Sequence, residues 1–149
     1  MSITLIVTEP KWRRTRGLLP RLKRAATRAL VHTGHEDGTL TILLADDEKL
    51  RALNAAFRGK NKTTNVLSFP ASADEYLGDV AIAHDVTLKE ANEQNKSFAD
   101  HATHLVVHGV LHLLGYDHEK TRDAKIMEPL ETAILSELGI GDPYARKAA

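Results

Sequence analysis

Three histidines in the segment HGVLHLLGYDH have the spacing of a metal-binding site. His108 and His112 are four residues apart, so on an α-helix they lie on one face, about one turn from each other, and can bind one ion together. Gly115 can end that helix, because glycine readily adopts the left-handed conformation found at helix ends. The bend that follows can bring His118 to the same ion. Three imidazoles with an open fourth position are typical of a catalytic zinc site rather than a structural one.

A fourth histidine on the same predicted helix competes for the ion. His104 and His112 are eight residues apart, about 12 Å along a helix axis, whereas zinc–nitrogen bonds are about 2.1 Å long. One ion therefore binds either His104 with His108 or His108 with His112. Only the second pair is followed by a glycine and a further histidine, so we assign His108, His112 and His118 to one zinc ion. We expect His104 to support a ligand or the fold, and Asp117 to orient the turn or a histidine.

The composition limits the available ligands and the class of protein. The chain has 149 residues, 42% of them hydrophobic, which suits a single domain over residues 1–149 with its own core. It contains no cysteine, so imidazole and carboxylate are the only strong metal ligands available. The first residues lack the features of a signal peptide, and no apolar run is long enough to span a membrane. We therefore expect a cytoplasmic protein that makes no membrane contact.

Basic residues are concentrated in the first part of the chain. Between residues 10 and 35 there are eight basic side chains and no acid: Lys11, Arg13, Arg14, Arg16, Arg21, Lys23, Arg24 and Arg28. A second group consists of Arg58, Lys60 and Lys62. On charge alone, a solvated helix face is the favoured interpretation of the first group. Beside a hydrolytic metal, both groups also suit a polyphosphate partner.

Hydrophobic periodicity predicts an α+β domain with the order β-α-β-α-β-β-α-α-α. The predicted strands cover residues 3–8, 39–45, 66–69 and 77–83. The predicted helices cover residues 18–33, 46–57, 85–98, 100–114 and 123–138, with Asp46 and Asp100 as N-caps of the second and fourth. This order predicts a small mixed four-stranded sheet with helices packed on it, in which the last two strands pair antiparallel. His84 and His101 are expected at the surface.

The spacing H-x3-H-x2-G-x2-H resembles the metal helix of the metzincin proteases. Those enzymes carry a glutamate directly after the first histidine as general base, and this chain has Gly109 there. A missing general base removes a contribution of roughly 10²–10⁴ in rate. The resemblance thus favours a metzincin-like metal helix and disfavours peptide hydrolysis, although a metalloprotease-like hydrolase remains an alternative.

Taken whole, HGVLHLLGYDH resembles the YbeY family of bacterial metal-dependent endoribonucleases. Two further segments are similar to that family in the same order: RGKNKTTNVLSFP at residues 58–70 and LGDVAIA at residues 77–83. The resemblance implies a zinc ion bound by the three assigned histidines and a catalytic role for Arg58. It also implies cleavage of single-stranded RNA in 16S rRNA 3′-end maturation and ribosome quality control, with the ribosome or its associated proteins as partners. Asn65 stands where some members have aspartate.

The predicted site suggests a mechanism. Zinc lowers the pKa of bound water toward 7, so hydrolysis needs no strong protein base. Arg58 would bind the phosphate through its guanidinium fork, and Lys60, Lys62 and the 11–28 group would hold flanking phosphates. The other alternative is a non-catalytic ribosome-associated zinc protein. It would need a fourth protein ligand, for which Asp117 and His104 are the candidates.

Overall fold

Four strands form one mixed sheet in a computed structural model that describes residues 2–73, 75–116 and 121–144. In chain order the strands are β1 (Ser2–Val7), β2 (Thr39–Ala45), β3 (Val66–Ala73) and β4 (Tyr76–Ala83). Across the sheet the order is β1-β2-β4-β3, in which β2 lies parallel to β1 and β4, while β3 runs antiparallel to β4. The predicted mixed four-stranded sheet and its antiparallel pair are confirmed.

The described residues form five α-helices, in the predicted order relative to the strands. They are α1 (Leu18–His32), α2 (Asp47–Arg58), α3 (His84–Glu93), α4 (Phe98–Leu113) and α5 (Thr121–Glu137), and a short 3₁₀ helix (Pro10–Arg13) precedes α1. Asp46 caps α2 as predicted, because its side chain accepts a hydrogen bond from the Lys49 backbone nitrogen. Within the described ranges, no helix combines the length and the apolar character needed to cross a membrane.

Three of the predicted boundaries are wrong, each for a physical reason. β3 does not end at Phe69 but continues through Pro70 to Ala73, since an edge strand tolerates a proline whose missing N–H would face outward. The helix predicted to reach residue 98 ends at Glu93. The next helix is capped by Ser97 rather than Asp100, because the serine hydroxyl accepts a hydrogen bond from the Asp100 backbone nitrogen at 3.0 Å.

One face of the sheet forms the main core together with α1 and α4. Side chains buried there include Leu40, Ile42, Leu44, Val80 and Ile82 from the sheet and Leu22, Ala26, Val106 and Val110 from the helices. The opposite face is covered only in part, by α2, where a smaller cluster contains Ala45, Leu50, Leu67, Ala81 and Ala83. The helix with the histidines is therefore packed on the fully covered side of the sheet.

The two histidines expected at the surface are buried instead. His84 is 8% exposed, and its ring packs 5.1 Å from Trp12 and 4.9 Å from Phe98, measured between ring centroids. His101 is 4% exposed, and its Nε2 lies 2.9 Å from Glu90 Oε1. In both cases the buried imidazole contacts a partner from another element, aromatic rings for His84 and a carboxylate for His101.

Gly109 lets α4 approach the sheet closely. A Cβ at this position would lie 2.6 Å from Val80 Cγ1 and 3.3 Å from Val66 Cγ2. At the same point the Ser68 hydroxyl donates a hydrogen bond of 2.9 Å to the Gly109 carbonyl oxygen. The contact leaves no room for the glutamate that a metzincin protease carries here, so the missing base has a structural cause.

We expect Gly109→Ala to lower the free energy of unfolding by about 1–3 kcal/mol, because the added methyl group overpacks the contact with Val80. In an exposed helix the same glycine-to-alanine change raises the free energy of unfolding by roughly 0.8–1 kcal/mol, so the sign of the change tests the packing against Val80. Urea denaturation of both proteins measures the free energy of unfolding. Gly141→Ala is the matched control, since its new Cβ would meet no atom within 4 Å. A Gly109→Ala protein as stable as the wild type would contradict this close approach.

Candidate metal centre

A cavity of about 630 Å³ lies beside the polar face of α4. Its lining combines imidazoles, carboxylate and basic groups: Arg58, Asn65, Val66, Ser68, Glu90, Gln94, Lys96, His101, His104, Leu105, His108, His112, Pro143 and Tyr144. Four histidines of α4 thus face one cavity, as their helical spacing predicts. The end of α2, the loop after it and the edge strand β3, which carry Arg58, Asn65 and Ser68 respectively, form another wall.

His108 is held between a carboxylate and a second histidine. Its Nδ1 lies 2.9 Å from Glu131 Oε1, and its Nε2 lies 3.0 Å from His112 Nε2. An ionised carboxylate only accepts hydrogen bonds, so the proton is on Nδ1 of His108, and Nε2 keeps its lone pair in the neutral ring. This is the tautomer that a metal ligand needs when a carboxylate orients it from behind.

Glu131 is the buried carboxylate of this arrangement. It projects from α5, is 0% exposed, and accepts hydrogen bonds from His104 Nε2 at 2.6 Å and from the Tyr144 hydroxyl at 2.7 Å, in addition to that from His108. Burial raises the pKa of Glu131, but the hydrogen bonds from the two histidines outweigh it and lower the pKa to about 2. Burial and the neighbouring carboxylate in turn raise the pKa of Tyr144. Glu131 is therefore ionised and the tyrosine neutral at physiological pH.

The donor atoms in this cavity fit a metal ion. His104, His108 and Glu131 each offer one ligand atom, and these atoms lie within 4.8 Å of one another, so this group could hold an ion. The ε-nitrogens of His108 and His112 are also close, at 3.0 Å, compared with about 3.3 Å for two nitrogens on one tetrahedral zinc. The structure thus brings together both pairs that helical spacing allows, the assigned pair of His108 with His112 and the competing pair of His104 with His108.

The third predicted ligand, His118, lies outside the described residues, as does Asp117. The turn that precedes them is described, and Gly115 has a φ of 95°, the left-handed conformation predicted for the end of this helix. α4 itself ends at Leu113.

A second carboxylate, that of Glu90, also lines the cavity. Glu90 of α3 lies beside His101 and also accepts a hydrogen bond of 3.0 Å from the side-chain nitrogen of Asn65. Asn65 Oδ1 accepts from the Val66 backbone nitrogen at 2.7 Å, and its carbonyl oxygen accepts from the Ala83 backbone nitrogen. Asn65 therefore fixes the start of β3 to α3. Burial lowers the pKa of His101, although the Glu90 hydrogen bond opposes this.

Arg58 is the last residue of α2 and lines the cavity. The helix ends there because Gly59 takes a left-handed conformation, with φ of 66°. The cavity therefore receives a guanidinium group from α2 and imidazoles from α4, two elements that are far apart in the sequence. A second cation, Lys96, lines the same cavity.

The basic residues between 11 and 28 do not line this cavity. Three of them form ion pairs with carboxylates of other elements: Lys11 with Asp85, Arg21 with Asp100, and Arg28 with Glu137. These pairs connect the basic stretch to α3, α4 and α5. Part of the charge excess in the first third of the chain is thus neutralised within the fold.

Sequence reasoning missed three participants: Glu131, Glu90 and Lys96. Glu131 had a detectable signal, because it lies four residues from both Met127 and Leu135, which are buried, and so occupies the apolar face of its helix. An acid in that position requires a partner, and the histidine stripe of α4 offers one. Glu90 and Lys96 have no comparable pattern in the sequence.

Comparison with known proteins gives consistent matches. A family model described as Endoribonuclease YbeY matches residues 14–139. Endoribonuclease YbeY of Chelativorans sp. is 50% identical over 138 residues, which cover 87% of this chain and 83% of that protein. Endoribonuclease YbeY of Maricaulis maris is 42% identical, covering 96% of this chain and 91% of that one.

A solved structure agrees with the fold. The solution structure of TM1509 from Thermotoga maritima superposes with a TM-score of 0.60 at 25% identity, over 97% of this chain and 99% of that chain. The resemblance first inferred from three sequence motifs is thereby confirmed over nearly the whole chain. The chain belongs to the YbeY family of endoribonucleases.

Proposed function

We propose that this protein is a zinc-dependent endoribonuclease that cleaves single-stranded RNA during 16S rRNA 3′-end maturation and ribosome quality control. The observation that carries the proposal is one cavity that combines the imidazoles of His108 and His112 with the cations of Arg58 and Lys96. Metal ligands beside phosphate-binding groups are the chemistry that RNA hydrolysis requires. In this proposal residues 1–149 act as one catalytic domain, the location is the cytoplasm, and the ribosome or its associated proteins present the substrate.

In this proposal the zinc ligands are His108, His112 and His118. The alternative group of His104, His108 and Glu131 is less suited, because Glu131 Oε2 already accepts hydrogen bonds from His104 and Tyr144. A metal at that oxygen would compete with both hydrogen bonds. Glu131 is better explained as the carboxylate that keeps the proton on Nδ1 of His108 and so directs Nε2 to the ion.

Different groups at the site would have different roles in the reaction. A bound zinc ion would supply Lewis acidity and a nucleophilic water at neutral pH. Arg58 binds non-bridging oxygens of the scissile phosphate and stabilises the negative charge that builds there. Lys96 binds a neighbouring phosphate, and the exposed loop residues Lys60 and Lys62 hold the strand as it leaves the cavity.

The two alternative functions are less consistent with this geometry. A metzincin-type protease needs a glutamate at residue 109, where the contact with Val80 leaves no space. A structural zinc protein needs a fourth protein ligand, and His104, one of its two candidates, is directed at Glu131. A cavity open to solvent beside Arg58 favours catalysis instead.

Removal of the metal tests the proposed function directly. We expect the purified protein to cleave a single-stranded RNA and to leave a duplex of the same sequence intact. Treatment with a chelator should abolish cleavage, and added zinc should restore it, because a bound metal would activate the water that attacks the phosphate. Gel analysis of end-labelled RNA, alongside elemental analysis of the protein, measures both effects. Full activity of a protein verified to be metal-free would overturn the proposal.

Arg58→Ala should reduce kcat by about 10²–10³-fold, the range for loss of one group that stabilises transition-state charge. Metal content and thermal stability should stay unchanged, since Arg58 is exposed at the end of α2. Arg58→Lys should recover only part of the activity, because a lysine lacks the two-pronged guanidinium geometry. Lys49→Ala, an exposed cation on the same helix that does not line the cavity, is the control. An alanine variant with wild-type kcat would remove Arg58 from the mechanism.

Two histidine variants distinguish the ligand sets. We expect His112→Ala to lose bound zinc and His104→Ala to retain it, with zinc measured by elemental analysis after dialysis. Loss of the ion from His104→Ala alone would instead support the group of His104, His108 and Glu131. Circular dichroism of both variants controls for folding, because His104 also supports the buried Glu131.

A further inference from the structure

An apolar groove lies on the sheet face that α2 covers only in part. Its volume is about 740 Å³, and it is lined by Ile6, Thr41, Leu43, Leu53, Phe57, Arg58, Ser68, Phe69, Pro70, Asp79 and Ala81. Phe57 is 70% exposed, an unusual position for a large aromatic side chain. Its ring meets that of Phe69 edge-on, with the centroids 5.3 Å apart. The two rings form a platform on the groove wall.

The groove is continuous with the candidate metal centre. Arg58 and Ser68 line both cavities, which lie on either side of the edge strand β3. Arg58 directly follows Phe57 in α2, so the group that would bind the phosphate and the exposed ring are adjacent. A strand whose phosphate is bound by Arg58 therefore has its next nucleotide beside this platform.

The chemistry of the groove suits a nucleobase and not a phosphate. The side chains of Ile6, Leu43 and the two phenylalanines are apolar, and the charged groups among the lining residues are Arg58 at the junction and the carboxylate of Asp79. Asp79 would repel a phosphate, but it can accept a hydrogen bond from the exocyclic amine of a base. Tyr76 donates its hydroxyl hydrogen to Asp79 and so holds this acceptor in place.

We propose that this groove binds an unpaired base of the substrate RNA, stacked on Phe57, next to the phosphate held by Arg58. The inference rests on the proposed function and adds to it the origin of single-strand selectivity. An exposed aromatic side chain beside a cation is the usual platform for single-stranded nucleic acid. A base in a duplex is stacked between its neighbours and paired, so its face is not available to the ring. The groove thus admits only RNA that is locally unpaired.

Kinetics of the zinc-loaded enzyme test the platform. Phe57→Ala should raise the RNA concentration for half-maximal cleavage about tenfold, within the range measured for loss of one base-stacking contact, and should leave the maximal rate within about twofold. Phe57→Tyr should behave as the wild type, because it keeps the aromatic face, whereas Phe57→Leu should resemble the alanine variant. Ile126→Ala, which removes another exposed apolar side chain outside the groove, is the control.

A substrate with one abasic nucleotide identifies the contact. The abasic nucleotide is placed in turn at each position near the cleaved bond. At one position it should raise the RNA concentration for half-maximal cleavage by the wild type about tenfold. At that position it should not raise the value for Phe57→Ala any further, since the same contact is already absent. Equal abasic penalties in both proteins at every position would show that the groove does not bind a base.

A spectroscopic test is independent of cleavage. The chain has one tryptophan, Trp12, which is 0% exposed, so the added fluorophore of Phe57→Trp would be the exposed one. Single-stranded oligonucleotides should quench its emission in a saturable way, and duplex RNA should not. The wild type provides the background signal of Trp12.

The results separate this inference from the proposed function. Cleavage by the wild type together with unchanged parameters for Phe57→Ala and no quenching would overturn the base site alone. Saturable quenching by single-stranded RNA without any metal-dependent cleavage would support the base site and overturn the nuclease. Quenching by duplex as strongly as by single strands would overturn the proposed selectivity.

Discussion

The hydrogen bonds of one buried carboxylate hold together the elements that surround the candidate metal centre. Glu131 accepts from His104, His108 and Tyr144, so it connects α5 and the last described segment of the chain to α4. Removing the partners of a buried charge costs about 3–5 kcal/mol, which makes these contacts mutually dependent. Since such a carboxylate typically changes metal affinity by 10–100-fold, the packing of α5 is linked to the chemistry of α4.

The close packing of α4 determines which chemistry is available. Gly109 lies against Val80 and leaves no room for a general base beside the first histidine. In the proposed function a metal would activate the attacking water, and Arg58 and Lys96, which line the cavity, would stabilise negative charge. A phosphodiester, already an anion, suits such a site better than a neutral peptide bond. Gly109, the residue at which this chain differs from the metzincin pattern, thus has its effect by letting the backbone of α4 lie close to the sheet.

The sequence predicted those features that depend on local periodicity and missed those that depend on distant partners. β2 was predicted with its observed bounds, because it is a short, largely apolar run that directly follows the turn at Gly38, and the histidine face of α4 follows from helical spacing alone. Burial of His84 against Trp12 and pairing of Glu131 with α4 bring together residues remote in sequence. β3 extends beyond Phe69 because its pairing with β4 continues, a tertiary effect that overrides the local signal of Pro70.

The edge strand β3 lies between the candidate metal centre and the groove proposed to bind a base. It separates the histidine cavity from the apolar groove, and Arg58 and Ser68 contribute to both. Exposed strand edges invite pairing with other chains, and a proline on the edge opposes this because it offers no N–H group. Pro70 therefore keeps the border of the groove accessible, while the Ser68 hydroxyl fixes the same strand to α4. In the proposed function this edge strand would support a single nucleic-acid strand that passes from the proposed base site in the groove to the candidate metal centre.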